Sequence, residues 1–244
     1  MRICITGTCS QGKSTLIDDF LKEWPQYTTP ENTYRKLLKN KWGIKTTKDL
    51  QWNILNCMVD ELQRHHDGDK VVYDRGPLDN IASTLWAFSK EIKGVDDSFV
   101  QKCITIVRES LKHVDIIFHV PITKVVPFDH ETDKFLKNKK KGLVDDEYRT
   151  EIDNILKAIK RDWDTNPESK FFDPHDKPAI IEVFGSPEER LQIMKYYIDV
   201  DGDAIDDTSA IMSAEEINQM EEVKAQLGLT DSQSQVFKNP KGYE

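Results

Sequence analysis

Short apolar runs alternate along this chain with stretches whose apolar positions recur every three or four residues. Alternation of a strand period with a helix period predicts a mostly parallel α/β sheet. The first run covers residues 3–6. A helix follows from about Lys13, with Leu16, Ile17, Phe20, Leu21 and Trp24 on one stripe. Residues 27–40 read as containing a second helix, carrying Glu31 and Arg35. The next helix has its N-cap at Thr46 or Thr47 and runs toward His65, with Leu50, Ile54, Leu55, Met58, Val59 and Leu62 apolar. A strand at 70–73 ends in Asp74-Arg75-Gly76-Pro77, and Pro77 suits the first position of a helix that carries Ile81, Leu85 and Phe88. Another helix spans about 98–113 and a strand 114–121. Residues 143–163 form a long amphipathic helix with Tyr148, Ile152, Ile155, Leu156, Ile159 and Trp163 inward. The last strand covers 179–184, and Ser186 with Glu189 three residues on makes a capping box for the helix after it.

After Tyr197 the pattern changes to an acidic run at Asp199, Asp201, Asp203, Asp206 and Asp207. The expected organisation is therefore a domain over 1–197 and an acidic, partly mobile extension over 198–244, with one short helix near 213–227. The spacing of Asp199, Asp201 and Asp203 hints at calcium, but the glycine is misplaced for an EF-hand and the closing glutamate is missing.

Composition narrows the function. The 244 residues are 38% hydrophobic and carry a net charge of -9, which disfavours tight nonspecific nucleic-acid binding and favours small-molecule substrates. Cys4, Cys9, Cys57 and Cys103 form no C-x-x-C pair and read as reduced, buried thiols of a cytoplasmic protein. No apolar run is long enough to span a membrane, and no signal peptide is expected.

Gly7-Thr8-Cys9-Ser10-Gln11-Gly12-Lys13-Ser14 matches G-x-x-x-x-G-K-[ST], with a strand before it and a helix after it. The two glycines let the backbone turn sharply, so that loop amides and the helix N-terminus face a phosphate. Lys13 supplies a cation to the β- and γ-phosphates of ATP, and the Ser14 hydroxyl is a ligand for Mg²⁺. Ser10, Gln11 and Thr15 complete the nucleotide-binding set. The fold class is a P-loop NTPase: a three-layer αβα arrangement around a mostly parallel five-stranded sheet, with a helical lid at about 123–150 and the acidic C-terminal appendage.

Asp74 ends a strand, where ligands of parallel sheets gather. Its roles are to position Mg²⁺ or to take a proton from an attacking hydroxyl, and Arg75 beside it neutralises charge on the acceptor or on the moving phosphoryl group. Asp79 falls in a first helical turn, where the dipole alone favours a carboxylate; contact with the substrate is the other reading. Glu31 and Arg35 are a surface ion pair or acceptor-binding residues. Lys134, Lys137, Lys139, Lys140 and Lys141 are a solvated face, a lid over ATP, or a contact to a DNA backbone. Arg149, beyond them, is the better lid arginine.

Residues 7–15, Tyr73-Asp74-Arg75-Gly76-Pro77-Leu78-Asp79 and Phe184-Gly185-Ser186-Pro187-Glu188-Glu189-Arg190 together resemble phage-type P-loop nucleotide kinases. These are thymidylate-kinase-like and nicotinamide-riboside-kinase-like proteins of the AAA-type ATPase group, some of which phosphorylate 5-hydroxymethyluracil in DNA. The resemblance covers about residues 1–197. It implies a kinase using ATP and Mg²⁺ on a nucleoside or nucleoside monophosphate. It also implies that Lys13 and Ser14 serve phosphate and magnesium, that Asp74 and Arg75 lie near the acceptor, and that Gly185, Ser186 and Pro187 lie beside adenine. Where such proteins carry Asp-Gly-Leu-Arg in the lid, this chain reads Lys141-Gly142-Leu143-Val144, so Arg149 or the lysines must substitute.

Overall fold

A computed structural model describes residues 1–31, 37, 46–123 and 146–205. Arg35, the basic segment 134–141, most of the expected lid and the tail from 206 lie outside the described residues.

The ordered elements run β1 (Arg2–Thr6), α1 (Lys13–Glu23), α2 (Lys48–Gln63), β2 (Val71–Asp74), α3 (Pro77–Ser89) and α4 (Asp97–Ser110). They continue with a 3₁₀ turn (Leu111–His113), β3 (Ile116–His119), α5 (Asp146–Thr165), β4 (Ala179–Glu182) and α6 (Pro187–Met194). The strands pair in the order β2-β1-β3-β4, all parallel. Every residue of the four strands is buried, which is why they read as continuous apolar runs rather than alternating ones.

The pleat divides the core between two faces. Ile3, Ile5, Phe118 and Ile181 meet Leu16, Phe20, Ile193 and Met194 of α1 and α6. Cys4, Tyr73, Ile117 and Ile180 meet Leu55 of α2, Ile81 of α3, Cys103 and Val107 of α4, and Ile159 of α5. That is the expected three-layer αβα arrangement. Phe20 is fully buried, so its truncation to Ala removes about 3–5 kcal/mol. None of the four cysteines forms a disulfide; Cys4 and Cys103 are buried as expected, whereas Cys9 and Cys57 are half-buried.

One expectation is refined. Among the described residues the sheet has four strands, and the fifth position is a single parallel bridge. There the Val72 amide donates to the Thr28 carbonyl at 2.9 Å and the Thr28 amide to the Lys70 carbonyl at 3.0 Å. Residues 27–31 accordingly contain no helix. Thr28 and Thr29 are β-branched, and Pro30 disfavours helical backbone at Thr29, which suits the extended start of the stretch; Leu37, further along it, is helical, as expected of a helix within 27–40.

The start of the acidic run, residues 199–203, is a turn closed on itself. Asp199 Oδ1 accepts the amides of Asp201 (2.9 Å) and Asp203 (2.8 Å). Lys70 pairs with Asp203 at 2.9 Å, supplying the cation that the spacing suggested for calcium. Trp24 Nε1 donates to the Asp199 carbonyl and the Tyr27 hydroxyl to the Gly202 carbonyl, so residues 199–202 are held against the domain.

Candidate nucleotide and phosphate site

The parallel register brings the chemistry together. Ile5 pairs with Asp74, Thr6 with His119, and His119 with Glu182, so the ends of all four strands form one edge with the phosphate loop above it. The loop leaves β1 at Gly7, whose φ is 146°. A Cβ there would stand 2.5 Å from the Val120 carbonyl oxygen, closer than any side chain tolerates. Gly12, at φ 75°, is the N-cap of α1. Both motif glycines therefore answer a backbone demand.

Four of the loop's carbonyls are held by cations from four different elements. Arg75 Nη1 donates to the Gly7 carbonyl at 2.8 Å, and Lys13 Nζ to that of Thr8. Arg149 Nε donates to the Cys9 carbonyl at 3.1 Å, and Arg190 Nη1 to that of Gln11 at 2.6 Å. Such a ring fixes the loop's path and concentrates positive charge where a polyphosphate would lie.

Lys13 is buried, and its ammonium is pushed down to about 7. Burial is the largest cause and Arg75 adds to it, while Asp79 and Asp74 pull the other way. A polyanion beside Lys13 would reverse the balance by restoring a favourable field.

Asp74 is buried at the end of β2, next to the strand that feeds the loop. Arg75 follows in a left-handed backbone, φ 76°, a conformation that is costly for a residue with a Cβ. Its carbonyl-bound guanidinium also pairs with Asp79 Oδ1 at 3.0 Å. Asp79, with a side chain only 3% exposed, is committed to the protein rather than directed at solvent. Oδ1 also accepts the Gly7 amide at 3.1 Å, and Oδ2 accepts the Gly76 amide at 3.0 Å. One carboxylate thus closes the cap of α3 and ties the phosphate loop to the Asp74-Arg75 turn. Gly76 has its own reason to lack a side chain: a Cβ would stand 2.9 Å from Cys4 Sγ.

Ser14 and Thr15 are exposed in the first turn of α1, and Ser10, at φ 60°, and Gln11 form the crest of the loop. Gly185, Ser186 and Pro187 join β4 to α6. The capping box is formed: Ser186 Oγ accepts the Glu189 amide at 3.3 Å, and Glu189 accepts the Ser186 amide at 2.6 Å. Glu31 is exposed at the end of the segment that follows the Thr28 bridge.

Three residues near the site escaped the sequence reading. Arg190, read only as the end of the 184–190 motif, is buried between two loops. Tyr148 was read as part of an apolar stripe; its hydroxyl lies among Ser83, Arg75, Cys9 and Asp79, with burial the main reason its pKa rises. Its ring stacks edge-on against Trp86 at 4.6 Å, and the Trp86 indole donates to Glu151 at 2.6 Å, fixing the first turns of α5 to α3. His119, fully enclosed, stands 3.6 Å from Glu182 and 3.8 Å from Asp153. Burial is the largest influence on Glu182 and pushes its carboxyl up, but His119, Lys160 and Lys157 together outweigh it and leave the group below its usual value.

A glycine-rich loop between a parallel strand and a helix, beside an Asp-Arg strand end, defines a P-loop nucleotide-kinase-like fold. The chain belongs to the AAA domain family, whose model matches residues 2–166. Solved structures agree on the fold. Deoxyadenosine kinase from M. mycoides with dCMP and dCDP bound is 16% identical at a TM-score of 0.53, covering 80% of this chain and 96% of that one. The same kinase with dATP bound gives 16% identity and a TM-score of 0.51, over 80% of this chain and 97% of that one. NadR in complex with NR is 12% identical at a TM-score of 0.50, over 94% of this chain and 52% of that one. No curated protein matches the chain in sequence. No helix among the described residues is long and apolar enough to cross a membrane.

Proposed function

We propose that this protein is an ATP-dependent kinase that moves the γ-phosphoryl group to a hydroxyl of a nucleoside or nucleoside monophosphate. The observation that carries the reading is the joint between phosphate loop and strand end. Arg75 and Asp79 bind the loop at Gly7, which fixes the strand end carrying Asp74 to the phosphate loop. A loop that only held nucleotide would not need a buried carboxylate and an arginine fixed to its first residue.

In this reading the loop amides and Lys13 take the β- and γ-phosphates. Asp74 accepts the proton of the acceptor hydroxyl as its oxygen bonds to the γ-phosphorus and the bond to the β–γ bridging oxygen breaks, releasing ADP. Arg75, reached by a small swing from the Gly7 carbonyl, offsets charge on the transferring group, and Arg149 does the same from α5. The donor set suits Mg²⁺: the Ser14 hydroxyl and the Asp74 carboxylate are hard oxygen donors. That fits an ion held mainly by phosphate oxygens and water, with one or two protein ligands. When bound, Mg²⁺ would neutralise charge on the β- and γ-phosphate oxygens.

The test is a transfer panel with radiolabelled ATP over nucleosides, nucleoside monophosphates and hydroxymethylated DNA. Label on a nucleoside or monophosphate supports the reading. Label only on DNA, with steep inhibition by salt, transfers the assignment to a DNA-base kinase served by the lysines of 134–141. ATP hydrolysis at one slow rate with every acceptor identifies an ATPase without an acceptor.

A further inference from the structure

Arg190 has a position that the reaction outlined above does not use. It starts on α6, and its side chain is buried between the β4–α6 turn and the phosphate loop. Nε donates to the Gly185 carbonyl at 3.0 Å and Nη1 to the Gln11 carbonyl at 2.6 Å. A Cβ on Gly12 would come within 3.1 Å of Nη1, so the guanidinium also lies against the backbone of the loop's last turn. Among the described residues no carboxylate pairs with it. The two carbonyls it binds are therefore its partners, one on each loop.

The fork geometry matters as much as the charge. A guanidinium presents its N–H groups in a rigid plane, so two bonds to two separate loops set the distance between those loops. The Gly185 side is itself stiff: Gly185 has φ 85°, and the capping box of Ser186 and Glu189 fixes the residues after it. The phosphate-loop side is stiffened by its other cations.

We infer that Arg190 is a donor-positioning residue that sets the spacing between the base-side loop at 185–187 and the phosphate loop, and so makes the nucleoside part of ATP count toward binding. The inference rests on the ATP reading proposed above and on the placement beside adenine that the family resemblance implies for residues 185–187. With the spacing fixed, base and triphosphate are engaged together. With it relaxed, the triphosphate still binds the loop amides while the base contributes little.

The experiment compares ATP with inorganic tripolyphosphate by titration calorimetry on the full chain. In Arg190→Lys the cation remains but the fork is lost. Its dissociation constant for ATP rises roughly tenfold or more, as expected for losing a buried charge-assisted bond. Its dissociation constant for tripolyphosphate stays within about twofold, because Lys13 and the amides are untouched. Arg190→Ala gives a larger loss for ATP than for tripolyphosphate, and serves as the second variant should Arg190→Lys not fold. Equal losses for both ligands in either variant overturn the inference, since Arg190 would then merely support the phosphate loop. Unchanged ATP affinity overturns it as well. Failure of the wild-type protein to bind ATP at all instead refutes the nucleotide reading, and is distinguishable from both.

Discussion

Replacing Asp79 by Ala removes the acceptor for three donors at once. The Gly7 amide lies at 3.1 Å, the Gly76 amide at 3.0 Å and Arg75 Nη1 at 3.0 Å from its oxygens. The two backbone donors are buried and have no room to turn toward water. A hydrogen bond to a charged group contributes about 1.5–3 kcal/mol, so the amides alone put about 3–6 kcal/mol at stake. Against this stands the relief of no longer burying a carboxylate. Arg75 is 21% exposed and can recover part of its hydration, so its pair with Asp79 adds little. The net expectation is a loss of about 3–5 kcal/mol, the range for breaking a buried charged contact by removing one partner. For a domain of this size that lowers the melting midpoint by about 6–20 °C. Urea unfolding followed by circular dichroism, with a parallel thermal melt, measures it. Asp79→Asn should fall between the two, because its amide keeps one acceptor oxygen but turns an NH₂ toward another donor. ATP affinity should drop in both variants, since Gly7 loses its anchor. A loss below about 1 kcal/mol for Asp79→Ala would refute the view that this carboxylate fastens the phosphate loop.

The remaining expectations concern the loop and its neighbours. Lys13→Ala should abolish phosphoryl transfer, and a wild-type rate in the radiolabel assay would remove the site from consideration. Asp74→Asn should retain ATP binding but slow transfer at least roughly tenfold, a barrier increase of about 1.4 kcal/mol; loss of ATP affinity instead would point to a metal-holding role. The lowered Lys13 pKa has a definite sign. The unfolded chain holds this proton up to about 10.5 and the ligand-free fold only to about 7, so this group makes stability rise with pH between those values. ATP restores the charge, and calorimetry near pH 8 in buffers of different ionisation enthalpy should show proton uptake on binding; identical heats in every buffer would count against it. Gly7→Ala should lose ATP binding, because its Cβ would meet the Val120 carbonyl, and normal affinity would show that the loop adopts another path.

The strand runs, the phosphate loop and the helix caps were readable from local chemistry alone. Thr47 caps α2 by accepting the Leu50 amide at 3.2 Å, Pro77 opens α3, and Ser186 with Glu189 opens α6. Each of these depends on residues within one helical turn. What local chemistry does not reveal is of the opposite kind. Thr28 bridges Val71, forty-odd residues away in sequence and adjacent only in the sheet. Asp79 was equally consistent with a helix dipole or a substrate contact, and what decided its neighbours was Gly7, brought to it by the β1–β2 register.

The sequence by itself determined that a triphosphate-binding loop stands between a strand and a helix, because two glycines, a lysine and a serine at fixed spacing admit little else. Only the tertiary structure decided what surrounds that loop. Arg75, Arg149 and Arg190 reach the carbonyls of Gly7, Cys9 and Gln11 from three separate elements, and no local pattern marks any of them as a partner. The reason is physical: a cap or a turn is fixed by neighbours along the chain, whereas the ring of cations exists only once a parallel sheet has brought the ends of its strands to one edge.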